Sequence, residues 1–510
     1  MRGRVTAMTV IILVLFGLVL GQAVFIQVHR ASALNADPAN PRNYENSILY
    51  QRGAILSSNG TVLARSVPAT GPNAVTPWQR VYPLGSLTSQ LVGYLSNYYG
   101  SGGLEYSYDP YLVSHPQPAR SLTQVLAPVH AADTLHTTIE IALQQVADRA
   151  LAGRDGAVVA LDPRSGAVLA MYSNPTFGPA ALSAQSVATQ KSAWAQYARP
   201  DAIGFRPIRP MASAEYFPPG STSKIVTTSA VNRYWPGLIL KSYPVQRCLA
   251  LPNGNPLQPL CNSGGSPCGG TIPAMLPSSC DPGYAAVALD LGGTDLANQA
   301  HDFGYNAVPP LDLGPLGGGP AVIASSFPTG AQLNANLPFL AYAGIGQGNV
   351  QATALQNALV AAGIANHGNV LVPHLMSSIT DQLGNTVATF KPKIWRHALG
   401  PVQTAQIIPM MQNVVLYGTA AGVGFLPQDQ VAAKTGTAQT GVGNTNTDDW
   451  MIAFAPATRP LIAVAVVVPH QTLFDYGATV AGPIVKCVIE AQLAIDSGQP
   501  PAGTATTCAK

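Results

Sequence analysis

The sequence predicts an α+β fold, on three observations. From about Thr134 onward, apolar strand patterns lie at both ends of the region and helical patterns lie between them. Before it, short apolar runs separated by turn residues predict a β-rich module. A long uncharged apolar run precedes both and predicts a transmembrane helix. The chain is therefore divided into an anchor at 1–28, an N-terminal module at 29–133, a mixed main domain at 134–495 and a tail at 496–510.

The first segment carries the pattern of a membrane anchor. Arg2 and Arg4 precede the uncharged run Thr6–Val28, which is long enough to span a bilayer as a helix. Because positive charge flanks the upstream side, the N-terminus is predicted to be cytoplasmic and the rest of the chain extracytoplasmic. The alternative is a cleaved signal peptide with an A-x-A site at Ala31–Ala33, although the apolar core of a signal peptide is usually shorter.

Charge and cysteine content exclude several classes of protein. Charged residues make up 10% of the chain, the formal net charge is +3 and no basic block is present, so a nucleic-acid partner is not expected. The six cysteines form no C-x-x-C pair and no His cluster accompanies them, so neither a metal nor a cofactor is predicted. An extracytoplasmic location permits disulfides. We favour Cys487–Cys508, because that pair would tie down a Pro/Gly-rich tail.

Local patterns place the elements of both regions. Ala54–Leu56 and Thr61–Leu63 flank the turn Ser57–Gly60 as a β-hairpin. The main domain is predicted to contain strands at Thr134–Ile139, Ala157–Leu161, Ala167–Met171, Thr435–Ala438, Trp450–Ala455 and Leu461–Val468, and helices at Glu140–Ala152, Leu355–Ala365 and Ile484–Ile495. The stretch Cys248–Cys280 is rich in Gly, Pro, Asn and Ser, which predicts an irregular surface insertion.

Ser221 and Lys224 form the one Ser-x-x-Lys pair of the sequence. They follow Pro218–Gly220 at the start of a helical run that extends through Tyr234. Positions i and i+3 share a helix face, so the Lys224 amine can reach the Ser221 hydroxyl at a helix end that favours negative charge. A lysine whose pKa is lowered by burial or by a second cation can activate a serine as a nucleophile. In isolation the pair also fits an N-capping serine on a surface helix.

A second element is Lys434-Thr435-Gly436-Thr437, preceded by an apolar strand pattern. Lys434 is a candidate for the second cation and for binding a substrate carboxylate. Gly436 is predicted to let a substrate backbone approach the strand closely. Thr437 is predicted to offer its backbone N–H, together with that of Ser221, to an oxyanion. In isolation, a Lys-Thr-Gly turn is ordinary.

The third element, Ser279-Cys280-Asp281, lies between the other two in the sequence. The Ser279 hydroxyl is a candidate for relaying a proton between the two lysines and a leaving amine. The competing interpretation is that this serine caps a helix. Cys280 is interpreted as a buried small residue rather than as a reactive thiol.

In this order, the three elements resemble the motifs of the penicillin-binding protein and serine β-lactamase superfamily. The resemblance implies that Ser221 is the acylated nucleophile and that Lys224 is its base. It further implies that Ser279 relays a proton and that Lys434 and Thr435 belong to a strand lining the cleft. The implied fold is a transpeptidase/β-lactamase-like domain, an antiparallel sheet flanked by helices.

Further stretches resemble the class B penicillin-binding proteins, and most closely the short PbpA-type proteins of actinobacteria. They lie at 40–43, 51–55, 103–105, 344–348 and 449–454, and the resemblance extends from Asn40 to about Gln492. No Glu lies between Glu215 and Glu490, which argues against the deacylation chemistry of class A β-lactamases. The resemblance implies that the N-terminal module is non-catalytic.

The middle motif departs from the family pattern, in which Asn usually stands where this sequence has Asp281. An Asn amide donates hydrogen bonds, whereas an ionised carboxylate only accepts them. We expect Asp281 to contribute to substrate and β-lactam binding and to pair with Lys224, which would keep that amine charged and weaken it as a base. Slower turnover or an altered substrate preference would follow.

The resemblance implies a peptidoglycan D,D-transpeptidase that crosslinks stem peptides through a serine acyl-enzyme and binds β-lactams covalently. The alternatives are a D,D-carboxypeptidase, a β-lactam sensor or β-lactamase, and a catalytically weak or silent cell-division scaffold. The expected partners are peptidoglycan stem peptides, β-lactams, the membrane through the N-terminal helix, and a glycosyltransferase or another divisome protein. The expected location is the cell membrane, with a single span and an extracytoplasmic catalytic domain.

Overall fold

The computed structural model describes residues 2–30, 49–70, 74–116, 130–255, 258–440 and 445–499. Its first element is helix α1 (Arg2–Phe25), which continues in a π-helical turn at Ile26–Arg30. The helix has 24 residues, a length of about 36 Å, and it is not buried against the rest of the protein. It is therefore long and apolar enough to cross the hydrocarbon core of a bilayer.

Short strands and short helices make up the described part of the N-terminal module. The strands are β1 (Ile55–Leu56), β2 (Val62–Pro68), β3 (Trp78–Val81), β4 (Tyr94–Ser96), β5 (Gly100–Gly102), β6 (His115–Pro116) and β7 (His130–Ala131). The helices are α2 (Ser89–Val92), α3 (Leu104–Ser107) and α4 (Asp109–Leu112). Strands β1 and β2 pair antiparallel around the predicted turn, which confirms the predicted hairpin.

The main domain contains both strands and helices. Its strands are β8 (Thr134–Thr137), β9 (Gly156–Leu161), β10 (Val168–Asn174), β11 (Tyr243–Gln246), β12 (Cys248–Leu249), β13 (Leu260–Cys261), β14 (Cys268–Gly270), β15 (Asn369–Leu371), β16 (Met376–Thr380), β17 (Thr386–Thr389), β18 (Ile394–His397), β19 (Ala432–Thr440), β20 (Asn446–Ala455) and β21 (Ile462–Thr472). Its helices are α5 (Ile141–Leu151), α6 (Pro179–Leu182), α7 (Val187–Tyr197), α8 (Met211–Ala214), α9 (Lys224–Tyr234), α10 (Ile272–Ser278), α11 (Asp281–Leu291), α12 (Gly293–Asp302), α13 (Gly330–Ala335), α14 (Leu337–Ala343), α15 (Ala354–Ala365), α16 (Pro401–Leu416) and α17 (Gly477–Asp496).

A five-stranded antiparallel sheet forms the centre of the main domain, in the order β10-β9-β21-β20-β19. Helices α5 and α17 pack on one face, and α15, in which every residue is buried, packs on the other. Because both faces are covered, strands such as β9 and β21 are apolar over most of their length. Helix α17 is apolar enough to span a membrane, but more than half of its most apolar stretch is buried in this core. The predicted α+β fold is confirmed.

A second sheet joins the N-terminal module to the main domain. Its strand order is β17-β16-β8-β1-β2-β3, so strands from both sides of the predicted boundary at 133 lie in one sheet. Strand β8 pairs parallel with β1 and antiparallel with β16. The module therefore shares backbone hydrogen bonds with the main domain.

The insertion at Cys248–Cys280 is less irregular than predicted. Two disulfides, Cys248–Cys261 and Cys268–Cys280, hold it together. It contains strands β12 and β13, which pair with each other, strand β14, which pairs with the preceding strand β11, and helix α10, so the prediction of an irregular insertion is wrong. The two disulfides restrain the backbone of this segment, and its Gly/Pro-rich composition gives no sign of that restraint. Cys280 is fully buried, as predicted. Cys487 is also disulfide-bonded, but the predicted pair with Cys508 lies outside the described residues.

Four buried charged residues hold the N-terminal module together. The guanidinium of Arg52 pairs with Glu105 and with Asp109, each at 2.7 Å. Arg80 pairs with the second oxygen of Glu105 at 2.6 Å. The Glu105 side chain is fully buried, and the two neighbouring guanidiniums hold its pKa below the ordinary value despite that burial. Both arginines therefore share the Glu105 carboxylate, and Arg52 has Asp109 as a second partner.

Glu105→Ala is expected to destabilise the protein by about 3–5 kcal/mol, because it leaves two buried guanidiniums without their shared partner. The free energy of unfolding would be measured by urea titration of the full chain in detergent. Lys241→Ala is the control, because it breaks a half-exposed pair with Asp290 and should cost about 1 kcal/mol or less. Equal losses for the two variants would contradict the role given to Glu105.

Candidate active site

Ser221 lies in a tight turn at the start of helix α9. The turn is the 3₁₀ segment Gly220–Ser223, which leads directly into Lys224. Gly220 adopts a positive φ of 52°, and its N–H donates to the Gly346 carbonyl at 2.9 Å. A Cβ on Gly346 would lie only 2.1 Å from the Gly220 carbonyl oxygen. The turn therefore requires glycine on both sides of this contact.

Lys224 follows Ser221 by one helical turn, and its side chain is fully buried. Its Nζ lies 3.0 Å from the Ser221 hydroxyl. Burial lowers the pKa of Lys224, and the carboxylate of Asp281 opposes that shift. The predicted i, i+3 contact is therefore present, and burial favours the neutral amine that a base requires.

The Ser279 hydroxyl lies between two lysines. It accepts hydrogen bonds from Lys224 Nζ at 3.2 Å and from Lys434 Nζ at 2.8 Å. Ser279 has a left-handed φ of 55° and ends helix α10, so it is not an N-cap. Its carbonyl also accepts from Lys224 at 2.5 Å. The hydroxyl is thus positioned to pass a proton from one amine to the other.

Asp281 makes the predicted ion pair with Lys224. Its Oδ1 lies 2.6 Å from Lys224 Nζ. Its Oδ2 accepts from the Ser263 backbone N–H at 3.2 Å, and its own N–H donates to Asn262 Oδ1 at 3.0 Å. Both carboxylate oxygens are therefore engaged, one with the active-site lysine and one with the disulfide-bonded insertion.

Lys434 brings a second buried amine from strand β19. Its side chain is fully buried, and Nζ also donates to the Thr435 carbonyl at 2.9 Å. Burial holds the pKa of Lys434 well below its ordinary value, and the nearby Lys224 ammonium lowers it further, while Asp281 acts in the opposite direction. A neutral Lys434 can therefore take up a proton delivered through Ser279.

Strand β19 forms the edge of the central sheet, so its outer side pairs with no other strand of that sheet. The Thr435 hydroxyl contacts Thr419 Oγ1 at 2.6 Å, and Thr437 Oγ1 accepts from the Gly477 N–H at 3.0 Å. Both threonines line the cleft beside Ser221. An unpaired edge beside a nucleophile can accept an extended peptide.

Gly436 allows close packing, but of the protein's own chain. A Cβ at this position would lie 2.8 Å from the Pro219 carbonyl oxygen and 2.9 Å from Thr222 Cγ2. Trp450, which is opposite Gly436 in the ladder, is fully buried and donates to the Pro218 carbonyl at 2.9 Å. The sequence predicts that a substrate backbone approaches Gly436 closely. In the structure, the turn that carries Ser221 makes this close approach instead.

The predicted residues meet in one cleft of about 340 Å³. Sequence reasoning placed five of its lining residues: Ser221, Ser279, Asp281, Thr435 and Thr437. It missed Asn262, Ser263, Thr419 and the start of helix α17 at 476–479, which also line the cleft. The one sequence feature that pointed to them is the pair of cysteines next to the site, Cys261 before Asn262 and Cys280 before Asp281, because disulfides bring distant segments together.

Asp449 is a further buried acid, outside the three motifs. It lies opposite Thr437 in the β19–β20 ladder and is fully buried. Neither of its carboxylate oxygens has a well-formed hydrogen bond with the described residues. Burial raises the pKa of Asp449 to about 7, and the nearby Asp475 carboxylate contributes to the rise. This group lies directly behind the strand that lines the cleft.

The geometry defines a serine acyltransferase: a hydroxyl beside a buried amine, a second amine, and a hydroxyl between the two amines. The family model of the penicillin binding protein transpeptidase domain matches residues 156–490. The model of the penicillin binding protein A dimerisation domain matches residues 52–130. The chain belongs to the penicillin-binding protein transpeptidase family.

Known relatives and structures agree with this assignment. The chain is 34% identical to the peptidoglycan D,D-transpeptidase PbpA of Mycolicibacterium smegmatis, over 97% of this chain and 99% of the relative. It is 32% identical to PbpA of Mycobacterium tuberculosis, over 96% and 98%. The ceftriaxone acyl-enzyme of M. tuberculosis penicillin-binding protein A superimposes with a TM-score of 0.77 at 30% identity, covering 89% of this chain and 99% of that one. Its penicillin G acyl-enzyme gives a TM-score of 0.75, also at 30% identity, with coverages of 87% and 99%.

Asp281→Asn is expected to shift the pH dependence of β-lactam acylation to lower pH. Asp281 raises the pKa of Lys224, so removing its charge leaves more neutral amine at a given pH, and the rate at pH 7 should rise by roughly threefold or more. The acylation rate would be measured from pH 5 to pH 9. Asp290→Asn is the control, since it removes one charge from the same helix α11 at an exposed site. A pH profile that stays the same, or that moves to higher pH, would contradict the role given to Asp281.

Asp449→Asn is expected to raise the melting temperature by a few degrees, and by more at pH 8 than at pH 5. Aspartate has an ordinary pKa near 4, whereas Asp449 has a pKa of about 7 in the folded protein. Folding therefore takes up a proton between these values, and stability falls as the pH rises through them. Asn cannot ionise and escapes this loss. Melting temperatures of the full chain in detergent at both pH values test the prediction, and equal differences at the two pH values would refute it.

Proposed function

We propose that this protein is a membrane-anchored peptidoglycan D,D-transpeptidase that forms an acyl-enzyme on Ser221. The observation that carries the proposal is the Ser279 hydroxyl, which accepts from both Lys224 and Lys434 while Lys224 also contacts Ser221. These contacts connect a nucleophile, a base and a proton acceptor, and both amines are fully buried. The same chemistry accounts for covalent binding of β-lactams.

In the proposed acylation, Ser221 Oγ attacks the carbonyl carbon of the penultimate D-Ala of a stem peptide, and neutral Lys224 takes the hydroxyl proton. The backbone N–H groups of Ser221 and Thr437 stabilise the oxyanion. The bond to the terminal D-Ala then breaks, and the departing amine takes a proton that comes from the lysines through Ser279.

In the proposed transfer step, an amine from a neighbouring stem peptide attacks the ester carbonyl. Its proton passes to Lys224, a new amide bond forms as the ester bond breaks, and Lys224 returns the proton to Ser221 Oγ, which leaves as a hydroxyl. Thr435 and Thr437 hold the carboxylate of the terminal D-Ala before it departs, because both line the cleft on the edge strand. Asp281 holds Lys224 in place and tunes its charge.

The proposed location is the cell membrane, with one span and the main domain outside the cytoplasm. Helix α1 is long enough to span the bilayer, and Arg4 lies before its apolar stretch. The two disulfides of the insertion fit an oxidising compartment. We further propose that the non-catalytic module at 29–133 contacts a glycosyltransferase or divisome partner and that 134–495 is the transpeptidase domain.

One observation favours a second candidate, a catalytically weak scaffold. Asp281 lies 2.6 Å from Lys224 and stabilises its charged form, which cannot act as a base. A carboxypeptidase would use the same residues with water as acceptor, and a β-lactamase would release its acyl group rapidly. The reaction products therefore distinguish a transpeptidase from a scaffold, a carboxypeptidase and a β-lactamase.

The test is to incubate the full chain in detergent with a stem pentapeptide donor and an amine acceptor and to identify the products by mass spectrometry. A crosslinked dimer with release of D-Ala is expected, and Ser221→Ala should abolish it. Ser278→Ala is the matched control, since that serine lines the same cleft but contacts neither lysine. Hydrolysed tetrapeptide alone would indicate a carboxypeptidase, and no product from a folded protein would indicate the scaffold.

A further inference from the structure

Two disulfides place Asn262 beside Asp281 at the cleft. Cys261, immediately before Asn262, is bonded to Cys248, and Cys280, immediately before Asp281, is bonded to Cys268. Both residues are therefore held by cross-links one position away. Asn262 also lines the cleft and the wider groove beside it, and Ser221 lines both.

Hydrogen bonding fixes the orientation of the Asn262 amide. The Asp281 backbone N–H is a donor, so it requires the carbonyl oxygen of Asn262, which lies 3.0 Å away. The amide nitrogen must then face the other way, where it donates to the Ser266 carbonyl at 3.1 Å. An amide nitrogen carries two hydrogens. Within the described part of the chain, the second has no acceptor.

Asp281 cannot offer a donor to a ligand on this side of the cleft. Its two oxygens accept from Lys224 and from the Ser263 N–H. The Lys224 Nζ already lies within hydrogen-bond distance of four oxygen atoms of Ser221, Ser279 and Asp281. A peptide lying in the cleft brings carbonyl oxygens that need donors once water is displaced. The remaining hydrogen of Asn262 Nδ2 is a donor that meets this need.

We propose that Asn262 determines specificity by donating a hydrogen bond from Nδ2 to the amide carbonyl of the acyl donor. In a stem peptide this is the peptide carbonyl next to the reacting D-Ala residue, and in a penicillin it is the carbonyl of the acylamino side chain. The inference rests on the proposed function, because it requires that acyl donors occupy the cleft. It assigns substrate recognition to a residue outside the three motifs.

The test compares two β-lactams that differ in this carbonyl. Benzylpenicillin carries an acylamino side chain, whereas imipenem carries a hydroxyethyl group and has no such carbonyl. Asn262→Ala in the full chain in detergent is expected to lower the second-order acylation rate constant for benzylpenicillin by roughly five- to tenfold. The rate constant for imipenem should change less than about twofold, which also shows that the variant is folded.

Asn262→Asp gives a second test. It keeps an oxygen for the Asp281 N–H, but it replaces the donor nitrogen. Its new charge affects Lys224 equally for both drugs, so the ratio of the two rate constants isolates the donor and should fall as for Asn262→Ala. Ser266→Ala is the control, because it removes an exposed side chain and keeps the carbonyl that Asn262 contacts.

The outcomes separate this inference from the proposed function. If the wild-type protein reacts with neither drug, the proposed function fails and the inference fails with it. If the wild type reacts with both drugs but both Asn262 variants leave the ratio unchanged, Asn262 only positions Asp281 and the inference alone is overturned. A lower ratio of the benzylpenicillin to the imipenem rate constant in both Asn262 variants, with the ratio of Ser266→Ala equal to that of the wild type, supports the inference.

Discussion

The site depends on two lysine amines that are buried around one serine hydroxyl. Lys224 and Lys434 are fully buried, and both donate to Ser279 Oγ. Two adjacent buried cations repel each other, and each loses its hydration. Asp281 compensates Lys224 directly, whereas the pKa of Lys434 falls well below its ordinary value. In the proposed mechanism Lys224 takes the proton of Ser221, and Ser279 then relays a proton from the lysines to the departing amine.

The rest of the fold keeps these groups in place. The turn at Gly220–Ser223 carries Ser221 and leads into helix α9, which begins with Lys224, and strand β19 brings Lys434 from the far end of the chain. The turn of Ser221 packs on Gly436, and Trp450 donates to Pro218 behind it. The Cys268–Cys280 disulfide includes the central residue of the Ser279-Cys280-Asp281 motif and holds that motif in position. A shift of one element would separate the lysines and leave a buried charge without compensation.

The sequence was most informative where function depends on local spacing. The i, i+3 distance predicted the contact of Ser221 with Lys224, and apolar runs predicted the strands around Lys434. Contacts between distant segments carried no such signal. Asn262 lies in a stretch whose composition indicates a loop, and its role depends on disulfides that composition cannot assign. Asp449 looks like part of a polar loop, yet the ladder register places it in the core opposite Thr437.

The central claim is that Ser221 is activated even though Asp281 pairs with its base. The most direct measurement is the intact mass of the full chain after exposure to benzylpenicillin, followed by peptide mapping of any adduct. The account predicts one stable adduct, of the mass of the drug, on the peptide that contains Ser221. An adduct on another residue, or no adduct on a protein shown to be folded, would contradict it.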